Sequence, residues 1–344
     1  MNIPSLPRFH PYLDPQTTEE RKEMFDLLMS ADMMLPDPDG MTELLVAKLG
    51  IHSHPRWRQA FDDHPYIAHF LRVHKSLAYA PTRVEPQCHL DLPNLGDPLF
   101  HEHLEGLKAF QGEHRPMLTH SLVLVLAKPR FEELVGQLVR RKARFRLAQR
   151  TPDMVWDRLW LGVTPEDPRY EPSVDGGLCI EIMPIEPLQL PAQAFADPAP
   201  QVPDPQPGEM LRISARGWLV RDLDDTLRRL SANLGWEPSG PVRDLVNDGV
   251  RQATMGFNLA NSASLNLIEP VRWNSDAGLY IHNWGPGPYY IRIAVNGLEA
   301  KAEDLRSRGT RFEWLDECES LGGRPMIRID PRELRGQLVE FHEG

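Results

Sequence analysis

The chain has 344 residues, 41% of them apolar and 25% charged, and its 38 Lys and Arg against 49 Asp and Glu leave a formal net charge of −11. About twice the length of an ordinary domain, it can bury a large core. It has no run of about eighteen apolar residues, which excludes a hydrophobic spanning helix, and its composition excludes collagen and coiled coil. A field of this sign repels phosphate backbones and anionic lipid, so neither nucleic acid nor membrane is an expected partner.

The opening MNIPSLPRFHPYLD holds one basic residue, Arg8, and no apolar stretch, so no signal or transit peptide is expected and the cytoplasm is the expected compartment. Cys88, Cys179 and Cys318 are far apart, form no CxxC pair and read as reduced thiols. Residues 1–115 read as a helical N-terminal region. Thr17 and Glu20 form a capping-box pattern ahead of Met24, Phe25, Leu27 and Leu28, the stretch 41–50 ends on a glycine stop, and a further helix is expected over Tyr66 to Tyr79.

Nine of the thirteen histidines fall between His10 and His103. HSH at 52–54 and HEH at 101–103 set their rings on a two-residue step, which opposes them on a strand and spreads them on a helix, so they read as solvated or capping residues. DPDG at 37–40 opens like a calcium loop, but Lys48 stands where the twelfth-position glutamate belongs, which excludes calcium there.

From His120 the texture becomes strand, helix, strand. HSLVLVLA (120–127) is β-rich, 128–145 is an amphipathic helix with a proline in its first turn, and 157–163 and 176–184 are strands, giving a single βαβββ module over 116–186. Residues 187–208 carry seven prolines and act as an extended connector. The order then repeats twice within 209–344: strand 211–220, helix 222–235 and strands near 252–259 and 262–268, followed by strand 289–295, helix 297–309 and strands 310–315, 324–330 and 336–342. Three copies of one unit predict an α+β fold of repeated βαβββ modules forming U-shaped mixed sheets, preceded by the helical region.

At VRDLDDTLRRLSANLGWEPSG (220–240), LNLIEP (265–270), IAVNGLEAKAEDLRSRG (293–309) and IDPRELRGQLVEFHEG (329–344), the chain resembles the vicinal oxygen chelate superfamily, which includes glyoxalases, bleomycin-resistance proteins and extradiol dioxygenases. The resemblance implies paired βαβββ modules around a cup that holds a divalent metal or a ligand. Its metal positions come from the first and fourth strands of each module. Carried over one by one, they fall on Ala215, Asn266, Tyr290 and Glu340, so the C-terminal pair lacks the usual ligand set. In the module at 116–186, His120 and Glu181 keep metal-ligand types and form half a site, which a second copy of the chain in a homodimer is one way to complete.

By the period-two rule Leu338, Glu340 and His342 share one face of the last strand and Val339 and Phe341 the other, which sets Glu340 toward the cup. Glu340 and Tyr290 are the expected catalytic residues, with Asn266, Trp218 and His282 contacting substrate and any metal bound through His120 and Glu181. The expected function is a glyoxalase-like small-molecule enzyme of lyase, isomerase or dioxygenase class, acting on an oxygen-bearing, aromatic or polyketide-like substrate. The alternative is a metal-free sequestering protein of the bleomycin-resistance type.

Overall fold

The computed structural model describes residues 22–61, 64–88, 122–148, 158–167, 169–184 and 190–344. Within them one topology occurs four times: a strand, a helix, then three strands of which the last lies parallel beside the first. The first module comprises Ser30–Met34, the helix Pro38–Leu44 running on as a π-turn over Leu45–Leu49, and the strands Arg58–Phe61, His64–His69 and Arg83–Cys88. The second comprises Leu122–Leu126, the helix Lys128–Arg141, Phe145–Ala148, Arg158–Leu161 and Ile180–Pro184. The third runs Glu209–Leu219, helix Leu223–Leu234, Arg243–Leu245, Val250–Met255 and Ser264–Pro270. The fourth runs Gly287–Asn296, helix Leu298–Ser307, Phe312–Cys318, Arg324–Ile329 and Leu338–Glu343.

Modules join in pairs through their first strands. Glu209–Leu219 pairs antiparallel with Gly287–Asn296 and fuses the third and fourth modules into one eight-stranded sheet. Leu27–Leu28, directly ahead of Ser30–Met34, pairs antiparallel with Leu124 and Val125 and links the first and second modules in the same manner.

The α+β class with repeated modules therefore stands, and the number of copies among the described residues is four. The helical reading of 1–115 is corrected there: a helix forms at 38–49, but 24–28 and 66–79 do not form helices. Every residue from Phe25 to Leu35 is buried, so this segment is covered on both faces and shows no alternation that would announce a strand. In 66–79, Ile67, Phe70 and Leu71 sit at helical spacing, yet His64–His69 pairs with Arg58–Phe61, and Leu71 bridges to Val84. Tertiary pairing overrides the local pattern. Among the histidines, His54 caps the short 3-10 turn Pro55–Trp57 by accepting from Arg56 N at 3.1 Å, and Asp37 of DPDG caps its helix by accepting from Gly40 N at 2.9 Å.

Local signals fix the helix that follows the third module's first strand. Asp222 accepts from Asp225 N at 2.8 Å, Leu223, Leu230 and Leu234 form the buried stripe, and Gly235 terminates the helix at φ 69°, a left-handed conformation that favours glycine. The core between the sheets and helices is continuous across both halves of the chain: Phe25, Leu124, Trp218, Trp236, Ile293 and Phe341 belong to one cluster. Polar ties cross the same boundary. Buried Lys301 donates to Leu49 O at 2.7 Å, Thr310 Oγ1 donates to Lys48 O at 2.8 Å, and Lys48 pairs with Glu333 at 2.8 Å. No helix among the described residues is long and apolar enough to cross a membrane.

Candidate functional site

The helices Leu223–Leu234 and Leu298–Ser307 cover one face of the eight-stranded sheet, and a cavity of about 320 Å³ opens on the other. Strand alternation decides what reaches it. In Gly287–Asn296, Ile291, Ile293 and Val295 enter the core, so Tyr290 and Arg292 face the cavity. In Leu338–Glu343, Val339 and Phe341 enter the core and Glu340 faces the cavity, while in Arg324–Ile329, Ile327 and Ile329 do so and leave Arg328 on the cavity side.

Three of these side chains form an ionic cluster in which Arg292 and Glu340 are buried and Arg328 is half-buried. Arg292 donates from Nε and Nη2 to Glu340 Oε2 at 2.9 and 2.7 Å, and Arg328 donates from Nε and Nη2 to Oε1 at 3.3 Å each. Glu340 is 3% exposed, so each of its oxygens trades water for a guanidinium. Burial opposes the charge on Arg292, but Tyr290 and Glu340 outweigh that effect and raise its pKa. The two arginines against one carboxylate leave a net positive charge beneath the cavity, partly met by Asp276, whose Oδ2 accepts from Arg328 Nη1 at 3.1 Å.

Beside the cluster, Arg292 stacks on the Tyr290 ring, with Cζ 4.7 Å from its centroid. The Tyr290 hydroxyl accepts from Asn266 Nδ2 at 2.8 Å, and Asn266 Oδ1 accepts from Thr254 Oγ1 at 3.0 Å. This chain fixes the phenol while leaving its own proton undonated among the described residues. Gly217 makes room for the ring: a β-carbon there would lie 2.6 Å from Tyr290 Cδ1. Burial pushes the Tyr290 and Tyr289 phenols up, which keeps both neutral. Asp248, also in the wall, is raised by burial and then by the charge of Glu319.

The structure thus places Tyr290 and Glu340 in the cavity wall and Asn266 behind Tyr290. Trp218 lies elsewhere: it is 1% exposed in the core on the opposite face of the sheet, because its strand alternates with Gly217 toward the cup. His282 sits in the last turn of the helix Asp276–Trp284 and is not a lining residue, whereas the first turn of that helix is. Glu181 is on a different sheet, 1% exposed, with Oε1 3.2 Å from Arg158 Nη1. His120 lies outside the described residues.

These groups do not fit a divalent ion in the C-terminal cup. The four expected positions hold a methyl group, an amide and a phenol bonded to each other, and a carboxylate whose oxygens both meet guanidinium groups, where a metal would need imidazole or open carboxylate donors. Among the described residues no three His, Cys, Asp or Glu converge to hold a metal.

Sequence reasoning did not single out Arg292, Arg328 or Asp248. The signal for the first two was available, since the alternation that sets Tyr290 and Glu340 inward sets Arg292 and Arg328 inward as well. Asp248 sits in a turn, where no periodicity applies.

No family model matches the chain. An uncharacterized protein of Bacillus subtilis (strain 168), YqjC, is 28% identical over 93 residues, which cover 27% of this chain and 66% of that protein. Among solved structures, a hypothetical protein from Bacillus halodurans C-125 is 25% identical over 38% of this chain and 93% of its own, at a TM-score of 0.34. Methylmalonyl-CoA epimerase from Mycobacterium tuberculosis is 24% identical over 38% of this chain and 86% of its own, at 0.35. A variant of the Streptomyces coelicolor epimerase in complex with 2-nitronate-propionyl-CoA is 26% identical over 39% of this chain and 94% of its own, also at 0.35. Likeness at these TM-scores fixes no residue roles.

Proposed function

We propose that the paired modules at 209–344 form the working cup of a glyoxalase-like small-molecule enzyme of the isomerase or lyase class, in which built-in guanidinium groups supply the positive charge beside the substrate. The observation that supports this reading is the Arg292–Glu340–Arg328 cluster next to a neutral, fixed Tyr290 in the wall of one cavity. Such an array suits a reaction in which a carbonyl oxygen gains negative charge. Preorganised guanidinium and phenol donors stabilise that charge without reorganising. Glu340, with its oxygens held by two arginines, serves as the anchor of these cations. Asp248, its pKa raised by burial and by the charge of Glu319 and its side chain facing the same space, is the proton carrier in this reading.

The test is proton exchange. The purified protein is incubated in D₂O with 2-oxo acids and simple acyl thioesters, and the α-proton signal is followed by NMR. Exchange is expected with at least one of them. Asp248→Asn should slow it by about 100-fold or more, and Tyr290→Phe should slow it with Asp248 intact. Exchange that Asp248→Asn leaves untouched removes Asp248 from this role. Saturable binding without exchange would favour the sequestering alternative, which the full engagement of Glu340 also suits.

A further inference from the structure

The cavity wall holds three arginines, Arg272, Arg292 and Arg328, and four carboxylates, Asp248, Asp276, Glu317 and Glu340. These charges differ in how firmly they are held. Arg292 and Glu340 are buried partners, with side chains 6% and 4% exposed at 2.7 Å. Asp276 is the opposite case: its side chain is 77% exposed and reaches Arg328 through one contact at 3.1 Å, a geometry that solvent and salt weaken. Arg328 itself is 28% exposed, and its Nη1 is held by the exposed Asp276 rather than by buried Glu340.

We propose that the cavity takes a small monocarboxylate with an apolar body, whose carboxylate displaces Asp276 from Arg328 on binding. Asp276 is then a placeholder for the ligand's own charge. Exchange of one carboxylate for another leaves the local charge count unchanged. A dianion would add an unmatched charge beside Asp248 and Glu317. The apolar body is matched by Leu245, Val250, Ile268, Leu315 and the Tyr289 ring in the same wall. Asp276 can swing away at little cost to the fold, since Ser275 already caps its helix by accepting from Gly278 N at 3.1 Å.

This inference rests on the cup being a ligand site, and the experiment separates the two ideas. Benzoate and its neutral isostere benzamide are titrated into the full-length protein by calorimetry. Wild type should bind benzoate more tightly than benzamide. Asp276→Asn, which removes the competing charge, should tighten benzoate roughly two- to fivefold and leave benzamide unchanged. Arg328→Gln should weaken benzoate at least about tenfold, again sparing benzamide. Equal binding of the two probes, or no gain in Asp276→Asn, overturns the proposal. Ile268→Trp, which fills the cavity, tests the site itself: benzamide binding that it abolishes upholds the cup even if the carboxylate preference fails. If neither probe binds at millimolar concentration, both ideas fall.

Discussion

The second and fourth modules use the same last-strand carboxylate in different surroundings. Glu181 and Glu340 both lie on the sheet face away from their own modules' helices, nearly unexposed, and each meets an arginine from the preceding strand, Arg158 and Arg328. Across the parallel pairing the neighbours differ: Glu340 stands opposite Arg292, whereas Glu181 stands opposite Val123. The covering differs too. Around Val123, Val125 and Met183 the connector folds back, and Phe195 and Ala194 pack on that face with Leu27 and Met29, while the face around Glu340 opens into the cavity. One topology thus supplies a cup partly covered by the connector in one half and one that opens into a cavity in the other. The choice is made by a few inward positions and by the connector.

The sharpest way to break this comparison is to remove the carboxylate that organises the open cup. Glu340→Gln leaves buried Arg292 without a counter-charge and Arg328 with exposed Asp276 alone, and should cost about 3–5 kcal/mol of stability in chemical denaturation. A loss below about 1 kcal/mol would show that water already compensates the cluster. For the covered cup, Phe195→Ala removes a ring that is 7% exposed and should cost about 3 kcal/mol, with faster proteolysis inside the connector. If the connector remains equally protected, Phe195 is not what holds it down.

A difference in pH response should follow. His342 stands two residues beyond Glu340, where the second module has Met183. Burial first, then Arg292, depresses its pKa from 6.5 to about 4, with Arg324 and Arg212 adding to the effect. Its neutral ring bonds to Ser214 Oγ at 2.8 Å. A base whose folded pKa is depressed gives stability that is complete above pH ~6.5 and declines as pH falls toward 4, because the unfolded chain takes the proton first. The decline should be about 2–3 kcal/mol, and His342→Gln should flatten it within that window. The smallest expected effect is at Gly217→Ala, whose new methyl presses on the Tyr290 ring at a cost of about 1–2 kcal/mol and should weaken any ligand of the open cup more than it weakens the fold.

Three of the four modules were legible because their strands alternate on a helix-covered sheet and their helices carry caps, as at Asp222 and Gly235. The first was not. Its opening segment is buried on both faces, and its inner face carries Ser30 and Asp32 where a pattern reader looks for apolar residues. At the site, alternation was applied to Glu340 but not to the arginines in the same strands. Trp218 offers aromatic area, but its parity within the strand sends it to the core.

The continuity of the core across the two halves bears on how the chain could be divided. Phe25 stacks edge-on against Trp236 at 4.8 Å, Leu28 N donates to Ser262 Oγ at 3.0 Å, and Asp26 Oδ1 accepts from Asn258 Nδ2 at 2.9 Å, so the halves hold each other without help from the connector. The connector's contribution to that association is proximity, a high effective concentration of one half at the other. A backbone nick at its exposed residues, such as Gln201, would therefore yield two fragments that co-purify and melt together. Either fragment alone would present Trp236 or Phe25 to water and should be recovered only with its complement.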